Sequence, residues 1–392
     1  MKLVYCICNI CNPGGMERVM LNKINYLVDK LHWDITVVTT DQKHRPPFYT
    51  FPKEVKFIDL GINYTDDNHK SPIGKIWGYL LKRKLHKKKL SQVLIQENAD
   101  IVSSLFPSES SFIPDLNDGS KKVLELHFCK HFRLQYGRKG LLGIIDRWRT
   151  IQDEKLVRKF DRFIVLTDKD KRYWGDIPNI LTIPNAVKNN HLEYSSLDNK
   201  RVIAVGRLDY QKGFDRLVEA WKIVQQHGGY QDWKLEIFGQ GEWYDKLQQM
   251  IVDYGLKDTV CINTPSNQIN EEYKQSSLIV MSSNYEGFGM VLVEAMSCGV
   301  PAVAFDCECG PSDIIQHEQN GLLVKNGDIP GLAEAMMKVM GDEALRKRMS
   351  EEAKKVTDTY SEEKVMKQWV ELFEEVSGER LAVSGERLAV KG

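Results

Sequence analysis

Short apolar runs alternate with longer stretches of helical periodicity along most of the chain. Residues 3 to 8, Ile35 to Thr39, Val55 to Leu60, Ile101 to Leu105, Lys122 to Leu126 and Phe163 to Thr167 are short and apolar, as buried strands are. Met16 to Leu31 and Ile73 to Ile95 carry apolar residues at helical spacing. The alternation resumes after a polar stretch. Strands are predicted at Arg201 to Val205, Leu235 to Gly239, Leu278 to Met281, Ala302 to Phe305 and Asn320 to Val324. Helices are predicted at Phe214 to Gln226, Met290 to Cys298, Pro330 to Met340, Ala344 to Val356 and Ser361 to about Val376. Strand alternating with helix implies doubly wound, mostly parallel sheets.

With 392 residues the chain exceeds one ordinary core. The stretch Lys188 to Lys200 lacks any period and reads as a linker. The predicted division is therefore a first domain over 1–187, a linker over 188–200, a second domain over 201–360, a last helix over 361–376 and a tail over 377–392. The tail repeats itself, Ser377 to Val383 recurring as Ser384 to Val390, and is assigned no function.

The chain holds 54 Lys and Arg against 54 Asp and Glu, which argues against bulk nucleic-acid binding. No apolar run approaches bilayer length. Met1 to Cys8 reads as a first strand without a cleavage site, so a cytoplasmic protein is expected. Of eight cysteines, Cys6, Cys8, Cys129, Cys261 and Cys298 sit in or beside apolar runs, as buried thiols do. Cys8-x2-Cys11 and Cys307-x-Cys309 lack the spacing of a zinc finger or ribbon, and no metal site is predicted.

The chemistry concentrates where strands meet helices. Leu278 to Met281 leads into Ser-Asn-Tyr-Glu286-Gly287-Phe288-Gly289, and a helix starts at Met290. Free N–H groups at a helix start after a glycine turn suit an anion. Glu286 lies in that turn and Glu294 about a turn and a half into the helix, so the two carboxylates can face the two ends of one ligand. Arg207 and Lys212, with four residues between them, flank the turn after the Arg201 to Val205 strand. Two cations beside a helix start suit a diphosphate. In the first domain Asn12-Pro13-Gly14-Gly15 forms the turn after the first strand, with Glu17 in the first helical turn. His127 follows the strand Lys122 to Leu126, at the sheet end where ligands bind in doubly wound folds. His131 is its rival. Glu125 alternates with buried residues and reads as less attractive.

The stretch Glu286-Gly-Phe-Gly through Glu294-Ala-Met-Ser-Cys-Gly-Val-Pro301 resembles the Glu-x7-Glu motif of the retaining, nucleotide-sugar-dependent family 4 glycosyltransferases. The Arg207 to Gly213 turn, Gly14-Gly15-x-Glu17, the Gly239-x-Gly241 turn and Pro184-Asn185-Ala186-Val187 are similar to further elements of that family. Ala186 stands where the family carries glycine. The resemblance implies a GT-B architecture, two facing Rossmann-like domains with a cleft between them, the last helix crossing back to the first domain. It implies one sugar moved with retention from a nucleotide diphosphate sugar, UDP favoured over GDP, to a hydroxyl of a glycan or lipid-linked acceptor in cell-surface polysaccharide synthesis.

The resemblance also assigns roles. Arg207 and Lys212 are expected to neutralise the diphosphate, and Glu294 to accept from the ribose hydroxyls. Glu286 and the amides of Phe288 and Gly289 are expected to hold the sugar beside Gly287. Gly239 and Gly241 would lie near the nucleotide, with the base near Thr264 to Ser266. His127 would serve the reacting sugar, and Gly14, Gly15 and Glu17 would face donor and acceptor across the cleft. No cofactor and no metal are expected, the cations replacing the ion that an Asp-x-Asp triplet in a loop after a strand holds in other transferases. Two other readings share the architecture: a nucleotide-sugar epimerase and a non-catalytic nucleotide-sugar-binding subunit. The run Lys82 to Lys89 is the one strongly basic stretch. It reads either as a solvated helix face or as a patch for anionic membrane or a lipid-linked diphosphate.

Overall fold

The computed structural model describes residues 1–378 except Pro13, Asn68, Lys70, Pro107 and 189–192. All of the duplicated tail beyond Gly378 lies outside the described residues.

The first domain runs β1 (Lys2–Ile7), α1 (Gly15–Leu31), β2 (Asp34–Thr39), β3 (Lys56–Asp59), α2 (Pro72–Glu97), β4 (Ile101–Ser104), β5 (Lys121–Glu125), α3 (Gly140–Val157), β6 (Arg162–Val165), α4 (Asp168–Trp174) and β7 (Ile180–Thr182). Its seven strands pair in parallel in the order β3-β2-β1-β4-β5-β6-β7. The central strands are buried along almost their whole length, because helices cover both faces of a parallel sheet.

The second domain runs β8 (Arg201–Val205), α5 (Phe214–His227), β9 (Lys234–Phe238), α6 (Tyr244–Asp253), β10 (Val260–Asn263), α7 (Ile269–Lys274), β11 (Leu278–Met281), α8 (Met290–Ser297), β12 (Ala302–Asp306), α9 (Pro311–Ile314), β13 (Gly321–Lys325), α10 (Ile329–Gly341), α11 (Glu343–Lys354) and α12 (Val356–Tyr360). Its order is β10-β9-β8-β11-β12-β13, again parallel throughout. Each sheet reverses its strand order beside its first strand, between β1 and β4 and between β8 and β11. A crevice opens at such a reversal, at the carboxyl ends of the strands. Both sheets therefore aim the loops that carry the candidate residues at one cleft.

The predicted helix Ala344 to Val356 is two helices, because the chain turns at Lys355 between α11 and α12. The final helix α13 (Glu362–Ser377) leaves the second domain. Val365, Met366, Trp369, Leu372, Phe373 and Val376 join Ile24, Val28 and Ile35 in the core of the first domain. At the crossing, Val187 N–H donates to Tyr360 O at 2.8 Å and Glu362 N–H to Val187 O at 3.1 Å, so the two strands of the linkage lie side by side. The linker is anchored to the second domain, Ser195 N–H donating to Cys298 O at 2.9 Å with Leu197 buried. Cys261, expected beside buried residues, is exposed, because its side chain falls on the outer face of the edge strand β10.

Candidate active site

The turn between β11 and α8 builds one wall. Glu286 is buried and accepts hydrogen bonds from Lys212 Nζ at 2.6 Å and Ser283 Oγ at 2.6 Å. The Arg207 to Gly213 turn and the Glu286 turn are thereby tied together. Arg207 is the exposed member of the cation pair, 68 % open, bridged to Asp209 at 3.0 Å and to Gln211 at 2.7 Å. It reaches into the cleft toward Glu17 of the first domain. Burial pushes the Glu17 carboxyl up, and the Arg207 charge opposes that rise. The α8 start has no side-chain cap: Gly289, at φ +98°, provides only backbone there. Phe288 is buried against Tyr360, their rings 5.4 Å apart, which fixes the turn in place.

Glu294, in the second turn of α8, is buried and accepts from Tyr273 Oη at 3.2 Å. Across the cleft Arg18 of α1 reaches it at 3.1 Å. Burial raises the Glu294 carboxyl and Arg18 opposes that rise. Arg18 was not singled out by the sequence. Its place directly after Glu17 in the Gly-Gly-x-Glu turn was the available signal.

The two domains approach closely at Gly287. A Cβ there would lie 2.3 Å from the His127 carbonyl oxygen, so only glycine admits this contact. At Gly14 the Glu17 carboxylate folds back over the turn, so a Cβ would meet only that movable side chain, its Oε2 at 1.9 Å. Gly15 starts α1 with open space around it. Gly239 and Gly241 are packing glycines: Cβ atoms there would lie 1.9 Å from Gly206 O and 2.4 Å from Leu208 O, so they let the β9 turn lie against the Arg207 turn.

His127 follows β5 with its side chain buried, its Nε2 3.2 Å from Glu125 Oε2. Glu125, which alternates with the buried residues of β5, is itself buried. It is the hub of a buried cluster, accepting from Ser103 Oγ at 2.7 Å and from Lys23 Nζ of α1. Burial pushes the Glu125 carboxyl up, but the Lys23 charge and the His127 contact outweigh it and hold it down at about 2. His131 is no rival. Its Nδ1 meets Glu308 of the second domain, which also accepts from Gln135, so it belongs to an interdomain clasp. Lys169 adds to that clasp, reaching Asp306 at 2.8 Å and Ser312 Oγ at 3.0 Å, and Cys129, Tyr285 and Cys309 pack together beneath it.

No group of three His, Cys, Asp or Glu side chains is placed to hold a metal ion among the described residues. One Asp-x-Asp triplet follows a strand, but it does not sit in a loop. Asp168-Lys169-Asp170 follows β6, and the structure winds it into the first turn of α4 instead of a loop. Asp170 is buried and already accepts from Lys130 N–H at 2.8 Å and Trp174 Nε1 at 3.3 Å. The basic run Lys82 to Lys89 is also divided. Lys82 bonds Asn63 O at 2.6 Å, Arg83 bonds Ser111 Oγ at 3.2 Å, Lys89 bonds Leu60 O at 2.6 Å and His86 is buried. Lys84, Lys87 and Lys88 are exposed.

Comparison with known proteins bears on the family and the fold. The family model described as Glycosyltransferase Family 4 matches residues 13–190, and the one described as Glycosyl transferases group 1 matches residues 190–356. The chain is 34% identical to the amylovoran biosynthesis glycosyltransferase AmsD of Erwinia amylovora, over 94% of this chain and 98% of that protein. It is 37% identical to an exopolysaccharide phosphotransferase of Streptomyces coelicolor over 56% of this chain, spanning about a quarter, 24%, of that longer protein. Among solved structures, a variant of Staphylococcus aureus TarM in complex with fondaparinux, α-GlcNAc-glycerol and UDP superposes with a TM-score of 0.75 at 19% identity, covering 95% of this chain and 99% of that one. Two parallel sheets facing a cleft, with a last helix returned to the first domain, are the GT-B fold, and this chain belongs to the family 4 glycosyltransferases.

Proposed function

We propose that the protein transfers a hexose or hexosamine from a UDP-sugar, with retention and without a metal ion, to a hydroxyl of a glycan or lipid-linked acceptor in cell-surface polysaccharide synthesis. The observation that carries this reading is the Lys212–Glu286 pair, set beside Arg207 and the uncapped start of α8, facing His127 across the cleft. Lys212 and Arg207 would hold the donor diphosphate and meet the charge that grows as the glycosidic bond breaks. Glu286 would hold the sugar. Glu294, now paired with Arg18, would exchange that partner for the ribose hydroxyls. No carboxylate nucleophile is invoked: the acceptor oxygen bonds the anomeric carbon on the face that the nucleotide diphosphate leaves, and the leaving phosphate takes the acceptor proton. The UDP bound by the TarM variant supports uridine. A thermal-shift screen over uridine, guanosine and adenosine diphosphate sugars tests the donor, because binding to the folded state raises Tm by mass action. Incubation with donor and acceptor then separates transfer from epimerisation of the donor or from binding alone.

The two carboxylates divide the work in this reading. Glu294→Gln is expected to weaken UDP binding by about 10–100-fold, the loss of a charged hydrogen bond. Glu286→Gln is expected to lower kcat while leaving UDP affinity unchanged. Calorimetry with free UDP checks this, and equal losses of affinity in both variants contradict it.

The acceptor side supports a peripheral contact with anionic membrane. The N-terminal half of α2 exposes Trp77, Leu80 and Leu81, and α3 exposes Ile144, Trp148 and Ile151, with both tryptophans more than half open. Both helices pack on the same face of the sheet, through Leu90, Leu94, Leu156 and Val157, and both start at the carboxyl ends of strands. Exposed apolar residues among Lys84, Lys87 and Lys88 suit the boundary between lipid headgroups and acyl chains. No helix among the described residues is long and apolar enough to cross a membrane. Each cation near such a surface contributes about 1 kcal/mol, so reversing all three to Glu is expected to abolish flotation with anionic liposomes. Flotation equal to the parent's contradicts the contact.

A further inference from the structure

Lys23, Glu125 and His127 form a chain of buried titratable groups behind the cleft. Lys23 Nζ lies 4.0 Å from the centroid of the Trp369 ring on α13 and 5.4 Å from that of Tyr5 on β1. Its charge meets Glu125 Oε2, the same oxygen that Nε2 of His127 approaches at 3.2 Å. Ser103 Oγ donates to the other carboxylate oxygen at 2.7 Å. All three titratable side chains are buried, and a buried ion pair is no strong source of stability by comparison with apolar residues of similar size. The cluster sits at the end of β5, and the backbone of its last member touches Gly287 of the opposite domain.

A carboxylate can only accept. The ring nitrogen facing it must therefore carry the proton, and in a neutral imidazole the other nitrogen then bears a lone pair. We propose that Glu125 is a positioning residue that fixes His127 in one tautomer, with Nε2–H donated to the carboxylate and Nδ1 left to accept from a hydroxyl of the donor sugar. This rests on the reading of His127 as part of the donor-sugar subsite. Lys23 keeps Glu125 ionised, and Ser103 turns its second oxygen away from the ring. The groups facing His127 are Glu125 on β5 and Lys23 on α1, with Tyr5 of β1 and Trp369 of α13 closing around Lys23. Burial lowers the imidazole below its ordinary value, which keeps the ring neutral at neutral pH.

The test uses the full chain with histidine labelled in its ring nitrogens. Long-range proton–nitrogen NMR is expected to show His127 as the Nε2–H tautomer. Glu125→Gln is expected to lower kcat for UDP-sugar turnover by about 10–100-fold, by analogy with the loss on removing the partner that orients a metal-bound histidine. The donor KM is expected to rise as kcat falls, because the Nδ1 contact is made to the bound donor sugar, while affinity for free UDP stays unchanged. The side-chain amide introduced by Glu125→Gln can donate to the ring as well as accept from it, so the tautomer signature is expected to become mixed. That variant leaves Lys23 buried and unpaired, so the double variant Lys23→Met with Glu125→Gln is measured beside it. The double variant is expected to regain thermal stability without regaining kcat. A His127 ring protonated on Nδ1 in the parent overturns the proposal. So does a double variant with parental stability and parental kcat. The tautomer needs no substrate: if the parent turns over no UDP-sugar, the proposed function fails while the positioning claim is still decided by the ring signals.

Discussion

Lys212→Ala is expected to lower kcat by about 10²–10³, the effect of removing one preorganised group that stabilises developing charge. The donor diphosphate gains charge as its bond to the sugar breaks, and a fixed positive field must already stand there. Such a field comes from a divalent ion or from protein cations. Lys212 is well placed for it, tied at 2.6 Å to Glu286 in the turn after β11 and largely shielded from solvent. Arg207, more exposed and held by Asp209, would supply the second charge. Mg²⁺ or Mn²⁺ is expected to leave the Lys212→Ala defect in place, and the parent is expected to keep its activity in excess chelator. Steady-state assays with and without chelator check both. Because Lys212→Ala also leaves Glu286 with Ser283 as its remaining partner, the double variant Lys212→Met with Glu286→Gln is compared with Glu286→Gln alone, where any further fall in kcat reports the lost charge stabilisation rather than an uncompensated carboxylate.

Trp369→Ala is expected to cost about 3–5 kcal/mol of stability, the range for deleting a large buried aromatic side chain. Trp369 is 3% exposed, lies 5.4 Å from the Phe373 ring and sits in the first domain's core although its helix follows the second domain in sequence. Its loss removes packing that holds α13 to that domain, and it also uncovers Lys23. The predicted signature is a lower urea midpoint for the first domain together with reduced turnover, since Lys23, Glu125 and His127 share one buried cluster. Urea denaturation followed by fluorescence and by activity measures both. A parental midpoint would show that the returning helix contributes little to the first domain.

Much of the second domain was legible because its signals are local. Glu286 and Glu294 sit on one strand, turn and helix, and the Arg207 turn reads the same way seventy-odd residues earlier. The first domain hid its chemistry because its signals are distant. Glu125 alternates with buried residues and so read as core. Its partner Lys23 lies 102 residues away, and only the β1, β4, β5 neighbourhood brings α1 above it. His131 read as an alternative to His127 until Glu308, 177 residues on, claimed it for the domain clasp. The basic run looked uniform because sequence shows charge without direction. On α2 it divides into residues that bond the protein and residues that face solvent. Asp168-Lys169-Asp170 shows the same limit, since an Asp-x-Asp triplet acquires its meaning from being in a loop or, as here, in a helix.

The most direct test of the central claim needs no acceptor. A nucleotide-sugar transferase releases its donor sugar slowly to water, and the configuration of the sugar first released reports the face on which the anomeric carbon was attacked. The protein is incubated with α-configured UDP-hexoses and UDP-N-acetylhexosamines in excess chelator, and the anomeric proton is followed by NMR before mutarotation. Early appearance of the α anomer together with free UDP, lost in Lys212→Ala, is the predicted result. A β anomer appearing first, or release that starts only when Mn²⁺ is restored, contradicts the account.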